Sequence, residues 1–197
     1  MTELFKSTHE ALVFALNYSS QQYALSPVAK MMKTGVTGTG KGLVSTDGAA
    51  QAGLILAAFS KMDKLKAHCI IARHAPKFTE CACCGGPKPT QQWRESITAL
   101  RDWSMSTFSG LSHSVVREAI VMNFYSRGVS MDEAAKRANV PVKTVYNQRA
   151  KIHEALKVMD NQAQMEIADI LQASGIVLGD ETAEEARQAK RRKLKFA

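Results

Sequence analysis

Apolar residues recur along most of the chain at three- and four-residue intervals, the spacing that places them on one side of an α-helix. Strict alternation of apolar and polar residues, which is typical of half-buried strands, is hard to find over more than four residues. The pattern therefore predicts an all-α protein.

The predicted helices cover most of the chain. The first runs over about residues 8–23 with Ser7 and Glu10 at capping-box spacing, and Ser26-Pro27 predicts a fresh helical start. A helical stretch over about residues 49–74 is interrupted near 60–63. Further helices are predicted at about 90–105, 112–126, 131–138, 142–158 and 162–173.

Three apolar sets are expected to fill the core. In the stretch from 49 to 74 the first set is Gly53, Leu54, Leu56, Ala57 and Phe59, and the second is Leu65, Cys69, Ile70 and Ala72. The third set forms one stripe at helical spacing and consists of Trp93, Ile97, Leu100 and Trp103. Both tryptophans are therefore expected in the core.

Two segments lack helical periodicity. Residues 34–48 contain five glycines and predict a flexible loop, and residues 76–89 hold a cysteine-rich run with three prolines and predict irregular structure. The chain is expected to divide into a helical body at 1–108, a helix-turn-helix domain at 109–178 and a basic, disordered tail at 179–197.

The glycine-rich loop has the GxxxxGK spacing of a phosphate-binding P-loop, from Gly35 to Lys41. Gly42 stands where a magnesium-binding Ser or Thr is needed, and no strand precedes the loop. A mobile loop that brings Lys41 to nucleic acid or to a protein partner is the better functional interpretation.

Residues 114–159 predict a helix-turn-helix. Ser130 is a natural N-cap, and Glu133 follows three residues later, as in a capping box. Such a unit needs a small residue where the helices touch, a turn residue that tolerates positive φ and two core apolar residues. The chain supplies them in that order as Ala135, Asn139, Val140 and Val145.

The second helix of such a unit enters the major groove of double-stranded DNA. Its outward side chains are the candidate DNA-binding residues Val142, Lys143, Thr144, Tyr146, Asn147, Arg149 and Lys151. Asn147 can read an adenine edge and Lys143 can reach guanine or phosphate, whereas Arg149 and Lys151 are expected on phosphates. The alternative is a plain helical hairpin with a solvated basic face.

The segment REAIVMNFYSRGVSMDEAAKRANVPVKTVYNQRAKIHEAL, residues 117–156, resembles region 4 of bacterial sigma factors. In that region a helix ends in an aromatic residue and is followed by a Gly-containing turn, an acidic-Ala helix and a Thr-Val recognition helix. Two positions depart from the pattern. Asn139 replaces the usual glycine, and Gln148 occupies a position that is often apolar.

Nothing before residue 110 resembles the remaining regions of a sigma factor. A small, basic helical protein with this helix-turn-helix, preceded by the fragment CACCGGPKPTQQW at residues 81–93, resembles phage late-gene antitermination proteins of the Q type. The resemblance implies a protein that binds DNA beside a phage late promoter, loads onto paused bacterial RNA polymerase and makes it read through terminators. A second copy of the chain is a further candidate partner.

The charge balance agrees with a polyanionic partner. Lys and Arg number 26 against 18 Asp and Glu, and about half of the net charge of +8 lies between residues 127 and 157. No apolar run reaches the roughly 18 residues of a membrane span, and the first residues do not form a secretory signal. The sequence predicts a cytoplasmic protein that associates with DNA and not with membranes.

The cysteines favour a reducing environment, because Cys81, Cys83 and Cys84 are too close together for a regular disulfide framework. Cys81-x-x-Cys84-Gly-Gly has the shape of a zinc knuckle, and a closed zinc site takes four ligands. The candidate zinc ligands are Cys81, Cys84, Cys69 and His74, and His68 and Cys83 are the other nearby candidates. Free or buried cysteines are the alternative.

The sequence as a whole favours a DNA-binding antitermination factor with no enzymatic activity. A dimeric helix-turn-helix repressor or activator of transcription initiation is the first alternative. An NTPase that uses Lys41 and an adaptor that binds only proteins are two further hypotheses.

Overall fold

The computed structural model describes residues 5–24, 45–81, 83–126 and 128–177. These residues are mostly helical and include one small two-stranded sheet, which confirms the predicted all-α class. In this part of the chain, no helix has the combination of length and apolarity that a bilayer crossing requires. The predicted helix start at Ser26-Pro27, loop residues 34–44 and the tail at 179–197 lie outside the described residues.

The chain forms two compact units. One consists of Met1–Lys61 together with Met165–Ala197, and the other is Met62–Gln164. The boundary predicted between residues 108 and 109 falls inside the second unit.

The first unit pairs α1 (Thr8–Ala24) with α2 (Ser45–Phe59) and includes the end of the last helix. Ser7 Oγ accepts a hydrogen bond from the Glu10 N–H at 3.2 Å, as the predicted cap requires. The Glu10 carboxylate accepts from the Lys6 N–H at 3.2 Å, so the reciprocal bond lies one residue earlier than in a standard capping box.

Helix α2 differs from the prediction in two ways. It begins at Ser45, so the last residues of the predicted glycine-rich loop are helical. Its buried face is Ala52, Ile55 and Ala58, whereas the predicted core residues Gly53, Leu54 and Ala57 are exposed. Because this segment is apolar on nearly all sides, its sequence does not mark which face meets α1.

The second unit contains α3 (Lys64–His74), α4 (Gln91–Thr107), α5 (Ser114–Tyr125), α6 (Met131–Arg137) and most of α7 (Val142–Ala173). Helix α3 packs on α4, α4 on α5 and α5 on α6. The predicted apolar stripe of α4 is confirmed, since three of its members are fully buried and Trp103 is half-buried. Thr90 caps this helix by accepting a hydrogen bond from the Trp93 N–H at 3.4 Å.

Residues 76–89 are more ordered than predicted. They form an antiparallel hairpin of β1 (Phe78–Glu80) and β2 (Pro87–Pro89), with Thr79 opposite Lys88. Proline usually argues against a strand, but each strand of a two-stranded sheet has a free edge, where proline's missing N–H costs nothing. Cys81, Cys83 and Cys84 lie in the turn of this hairpin.

Helix α7 is continuous through the gap that the sequence predicts at residues 159–161. Asp160 is buried, and its carboxylate accepts hydrogen bonds from the Arg73 guanidinium of α3 at 3.0 Å and 2.8 Å. The prediction of two helices is wrong here because a polar residue in mid-helix has a charged partner from another element.

Candidate nucleic-acid interface

Helices α5, α6 and α7 form the predicted helix-turn-helix unit. Ser130 caps α6, with its Oγ accepting from the Glu133 N–H at 3.3 Å, as predicted. The Glu133 carboxylate pairs with Arg137 one turn later in the same helix. Cap and ion pair both stabilise a helix of only seven residues.

The turn between α6 and α7 has the predicted geometry at Asn139, whose φ is 51°. The Asn139 N–H donates to the Lys136 carbonyl at 3.2 Å, and the Val140 N–H donates to the Ala135 carbonyl at 3.0 Å. These two bonds are those of a Schellman motif, in which the left-handed residue is usually glycine. Asparagine tolerates this conformation, so the departure from the sigma-like pattern leaves the turn intact.

Two of the three predicted contact residues between α6 and α7 are buried. Ala135 and Val145 are almost fully enclosed, and Val140 is half-buried. Met131 and Ile152 join them in the core. The first turns of α7 are thus held in place by the apolar side chains packed on one of their faces.

The opposite side of α7 presents the predicted DNA-binding residues, which we call the recognition face. Five of the seven are exposed, namely Val142, Lys143, Tyr146, Asn147 and Lys151, and Thr144 and Arg149 are half-buried. Lys143 and Asn147 are one helical turn apart, so their side chains emerge on the same side. The face includes three cations and no acidic residue.

Arg149 is held in place within the unit. Its Nε–H donates to Asn123 Oδ1 of α5 at 2.9 Å, and its guanidinium lies over the Tyr146 ring at 5.9 Å from the ring centre. Asn123 in turn donates from Nδ2 to the Val129 carbonyl at 3.0 Å. Sequence reasoning missed Asn123, because only the folded contact between α5 and α7 distinguishes it from any other polar helix residue.

The unusual Gln148 is buried in a position where the sigma-like pattern favours an apolar residue. Its Nε2 donates to the Ser109 carbonyl at 3.1 Å, while its Oε1 is buried and has no hydrogen-bond partner among the described residues. Gly110 lies beside it with φ of 92°, and a Cβ at this glycine would come within 2.9 Å of Gln148 Nε2. The loop between α4 and α5 therefore packs against the buried side of α7.

Arg117 of α5 fixes that loop. Its buried guanidinium donates to the carbonyls of Ser104, Phe108 and Leu111, with an Nε–O distance of 2.8 Å to Leu111. Ser104 and Phe108 close the carboxyl end of α4, where a cation is favoured by the helix dipole. Burial lowers the pKa of Arg117 from its ordinary value. The sequence contains no local signal for this role.

The cysteine turn brings together Cys81, Cys83 and Cys84, whose Sγ atoms all lie within 4.8 Å of one another and could hold a metal ion. A hydrogen bond from Cys83 lowers the pKa of Cys81 to about 7, so a thiolate is accessible at neutral pH. Gly85, with φ of 67°, forms the turn that gathers these thiols.

The structure brings only two of the four predicted ligands, Cys81 and Cys84, into the cluster. Cys69 is fully buried in α3, and burial raises its pKa to about 11, which disfavours the thiolate that a metal needs. His74 Nε2 lies 3.2 Å from Gln164 Oε1 of α7. Cys69 belongs to the helical core and His74 is half-buried at the end of α3, and Cys83 is the third member of the cluster.

No protein-family model matches the chain, and no curated protein matches it at a significant level.

Proposed function

We propose that this chain is a DNA-binding transcription antitermination factor. In this proposal it binds double-stranded DNA near a phage late promoter and modifies bacterial RNA polymerase to read through terminators. The observation that most supports DNA binding is the exposed, cationic recognition face at the start of α7, directly after a positive-φ turn. The expected location is the bacterial cytoplasm, on DNA.

The roles proposed for individual residues follow from their chemistry. Asn147 pairs with an adenine edge through its amide, and Lys143, one turn earlier, reaches guanine or phosphate. Arg149 and Lys151 neutralise backbone phosphates, which gives affinity that falls steeply with salt. Binding and remodelling of polymerase need no reaction chemistry, so the proposal assigns no catalytic residue.

The antitermination step rests on the resemblance of the whole arrangement to Q-type proteins. In this arrangement a sigma-like helix-turn-helix at residues 117–156 follows the cysteine-rich fragment at 81–93 in a small, basic helical chain. A protein of this kind acts after promoter escape, whereas a repressor or activator acts on initiation. The two can be separated by where in the transcription cycle the protein changes the outcome.

The test is a single-round transcription assay with purified bacterial polymerase, on a template with the native late promoter region and a downstream terminator. We expect read-through that depends on the protein and on the upstream DNA. Lys143→Ala/Asn147→Ala should abolish it. Lys64→Ala/Asn161→Ala, which removes the same two exposed side-chain types outside the recognition face, should not.

Unchanged termination together with altered initiation would replace antitermination by the repressor or activator hypothesis. An unchanged read-through in the Lys143→Ala/Asn147→Ala variant would point to an adaptor that acts through protein contacts alone.

We further propose that the cysteine turn holds a zinc ion through Cys81, Cys83 and Cys84. Three thiols gathered within bonding reach of one ion, one of them with a pKa near neutrality, support this. A tetrahedral zinc site takes a fourth ligand, which here would come from water or from outside the cluster. Bound zinc would tie the hairpin turn together.

Elemental analysis of the purified protein tests the zinc proposal. Zinc should copurify with the wild type and be lost in Cys81→Ser and Cys84→Ser. Cys69→Ala, which removes the buried thiol instead, should retain it. Zinc-free wild-type protein that stays so after incubation with zinc would contradict the proposal.

A further inference from the structure

The contacts of Arg149 point to a second residue that sets the position of its guanidinium. We propose that Asn123 is a positioning residue, which holds the Arg149 guanidinium ready for a DNA phosphate. This inference rests on the proposed DNA binding and names a residue that the recognition face itself does not include.

Asn123 bridges three parts of the helix-turn-helix unit. Its own backbone belongs to α5, its Nδ2 donates to the Val129 carbonyl in the turn before α6, and its Oδ1 accepts from Arg149 of α7. The bond to a carbonyl orients the amide, because only Nδ2 can donate there. Oδ1 is therefore the atom that accepts the hydrogen bond from the guanidinium.

The same geometry explains why asparagine suits this position. Aspartate would accept from Arg149 but has no donor for the Val129 carbonyl, and its negative charge would compete with a phosphate for the guanidinium. An aliphatic residue could neither donate to the Val129 carbonyl nor accept from Arg149. Position 123 needs a neutral side chain with one donor and one acceptor.

Arg149 is left with the groups that a phosphate requires. Only its Nε–H is used by Asn123, and the Tyr146 ring provides a surface for the guanidinium plane. Nη1 and Nη2 form the pair that binds two phosphate oxygens end-on. Among the described residues, no acidic side chain forms an ion pair with Arg149.

Holding the guanidinium in advance favours binding. A free arginine side chain loses rotamer freedom when it binds a phosphate, and that loss weakens the complex. Asn123 and Tyr146 restrict Arg149 before DNA arrives, so less freedom is lost on binding. Removing Asn123 should therefore weaken DNA binding only through Arg149.

A double-mutant cycle tests this dependence. The four proteins are the wild type, Asn123→Ala, Arg149→Ala and the double variant, and the probe is a fluorescent duplex that the wild type selects from a random pool. Asn123→Ala should weaken binding by about 3- to 10-fold in the wild-type background. In the Arg149→Ala background the same change should have no effect, because the group that it positions is gone.

The salt dependence separates positioning from loss of charge. Between about 50 mM and 200 mM salt, Arg149→Ala should reduce the slope of log affinity against log salt by about one. If Asn123→Ala fails to fold, Asn123→Ser takes its place in the cycle, since its shorter side chain cannot reach Arg149 yet stays polar.

The outcomes distinguish this inference from the function on which it rests. An equal loss of affinity from the Asn123 change in both backgrounds would overturn the positioning role and leave DNA binding intact. Absence of any duplex binding by the folded wild type at low salt would overturn the proposed DNA binding itself, and this inference with it.

Discussion

Arg117 binds three backbone carbonyls from a site that is almost fully enclosed. A buried carbonyl that loses its donor lowers the stability of the fold by about 1–3 kcal/mol. The guanidinium therefore matters more through the carbonyls that its removal would leave unpaired than through any one bond. Its partners belong to the end of α4 and the following loop, the same loop that meets Gln148 on the back of α7. Arg117 of α5 thus stabilises the loop that packs against α7.

We expect Arg117→Met to lower the free energy of unfolding by about 2 kcal/mol or more, because a side chain of similar length fills the space and takes the donor away from the Phe108 and Leu111 carbonyls. The Ser104 carbonyl still accepts from the Phe108 N–H. Urea unfolding followed by circular dichroism measures the change. Arg94→Met, at an exposed arginine of α4, is the matched control and should stay within about 0.5 kcal/mol of wild type. A loss at Arg117 no larger than the control's would show that these carbonyls find other partners.

At the level of elements, one ion pair joins the middle of α7 to α3. Asp160 is buried, whereas the Arg73 side chain that binds it is 42% exposed and also lies near the Phe124 and Tyr125 rings. The two partners are therefore unequal. Without Arg73, a carboxylate stays buried and unpaired, but without Asp160 the guanidinium can turn to water.

This asymmetry predicts that Arg73→Leu destabilises the protein more than Asp160→Leu does. We expect a loss of about 3–5 kcal/mol for the arginine variant, in line with other broken buried pairs, and a distinctly smaller loss for the aspartate variant. Chemical denaturation of both variants and of the double variant measures the difference. Equal losses, or the reverse order, would contradict the account of this pair.

In the molecule as a whole, two half-buried histidines link stability to pH. Burial lowers the pKa of His68 and of His153 from the ordinary value of 6.5, and His153 donates from Nε2 to the Ile120 carbonyl at 3.1 Å. An unfolded chain therefore binds these protons at a higher pH than the folded one. Their contribution to stability is complete above about pH 6.5 and is lost as the pH falls through the lowered values.

We expect the unfolding midpoint in urea to fall between pH 7.5 and pH 5, with a smaller fall in His153→Gln, because glutamine can donate to the same carbonyl without binding a proton. Urea titrations across this range check the effect. His113→Gln, at an exposed histidine, should follow the wild type. A pH dependence that is unchanged in His153→Gln would exclude His153 as a source.

How much of this could be predicted depends on how local each signal is. Ser130 and Asn139 act on neighbours within a few residues, so their cap and turn can be read from the chain itself. Other residues have partners that only the fold brings near, so no spacing rule identifies these residues in the sequence. They are Arg117, Asn123 and the Arg73–Asp160 pair. The cysteine turn lies between these cases, because the CxxC spacing marks Cys81 and Cys84, whereas only the folded turn distinguishes Cys83 from the other nearby candidates.

The proposed binding of DNA by the recognition face of α7 is tested most directly by duplex affinity. Fluorescence anisotropy at low salt, with a duplex selected by the wild type, should give about 10-fold weaker binding or more for Lys143→Ala/Asn147→Ala. Lys64→Ala/Asn161→Ala should bind as the wild type does. If the recognition-face variant binds as tightly as this control, or if the wild type selects no duplex, α7 is not a DNA-reading helix and the account is wrong.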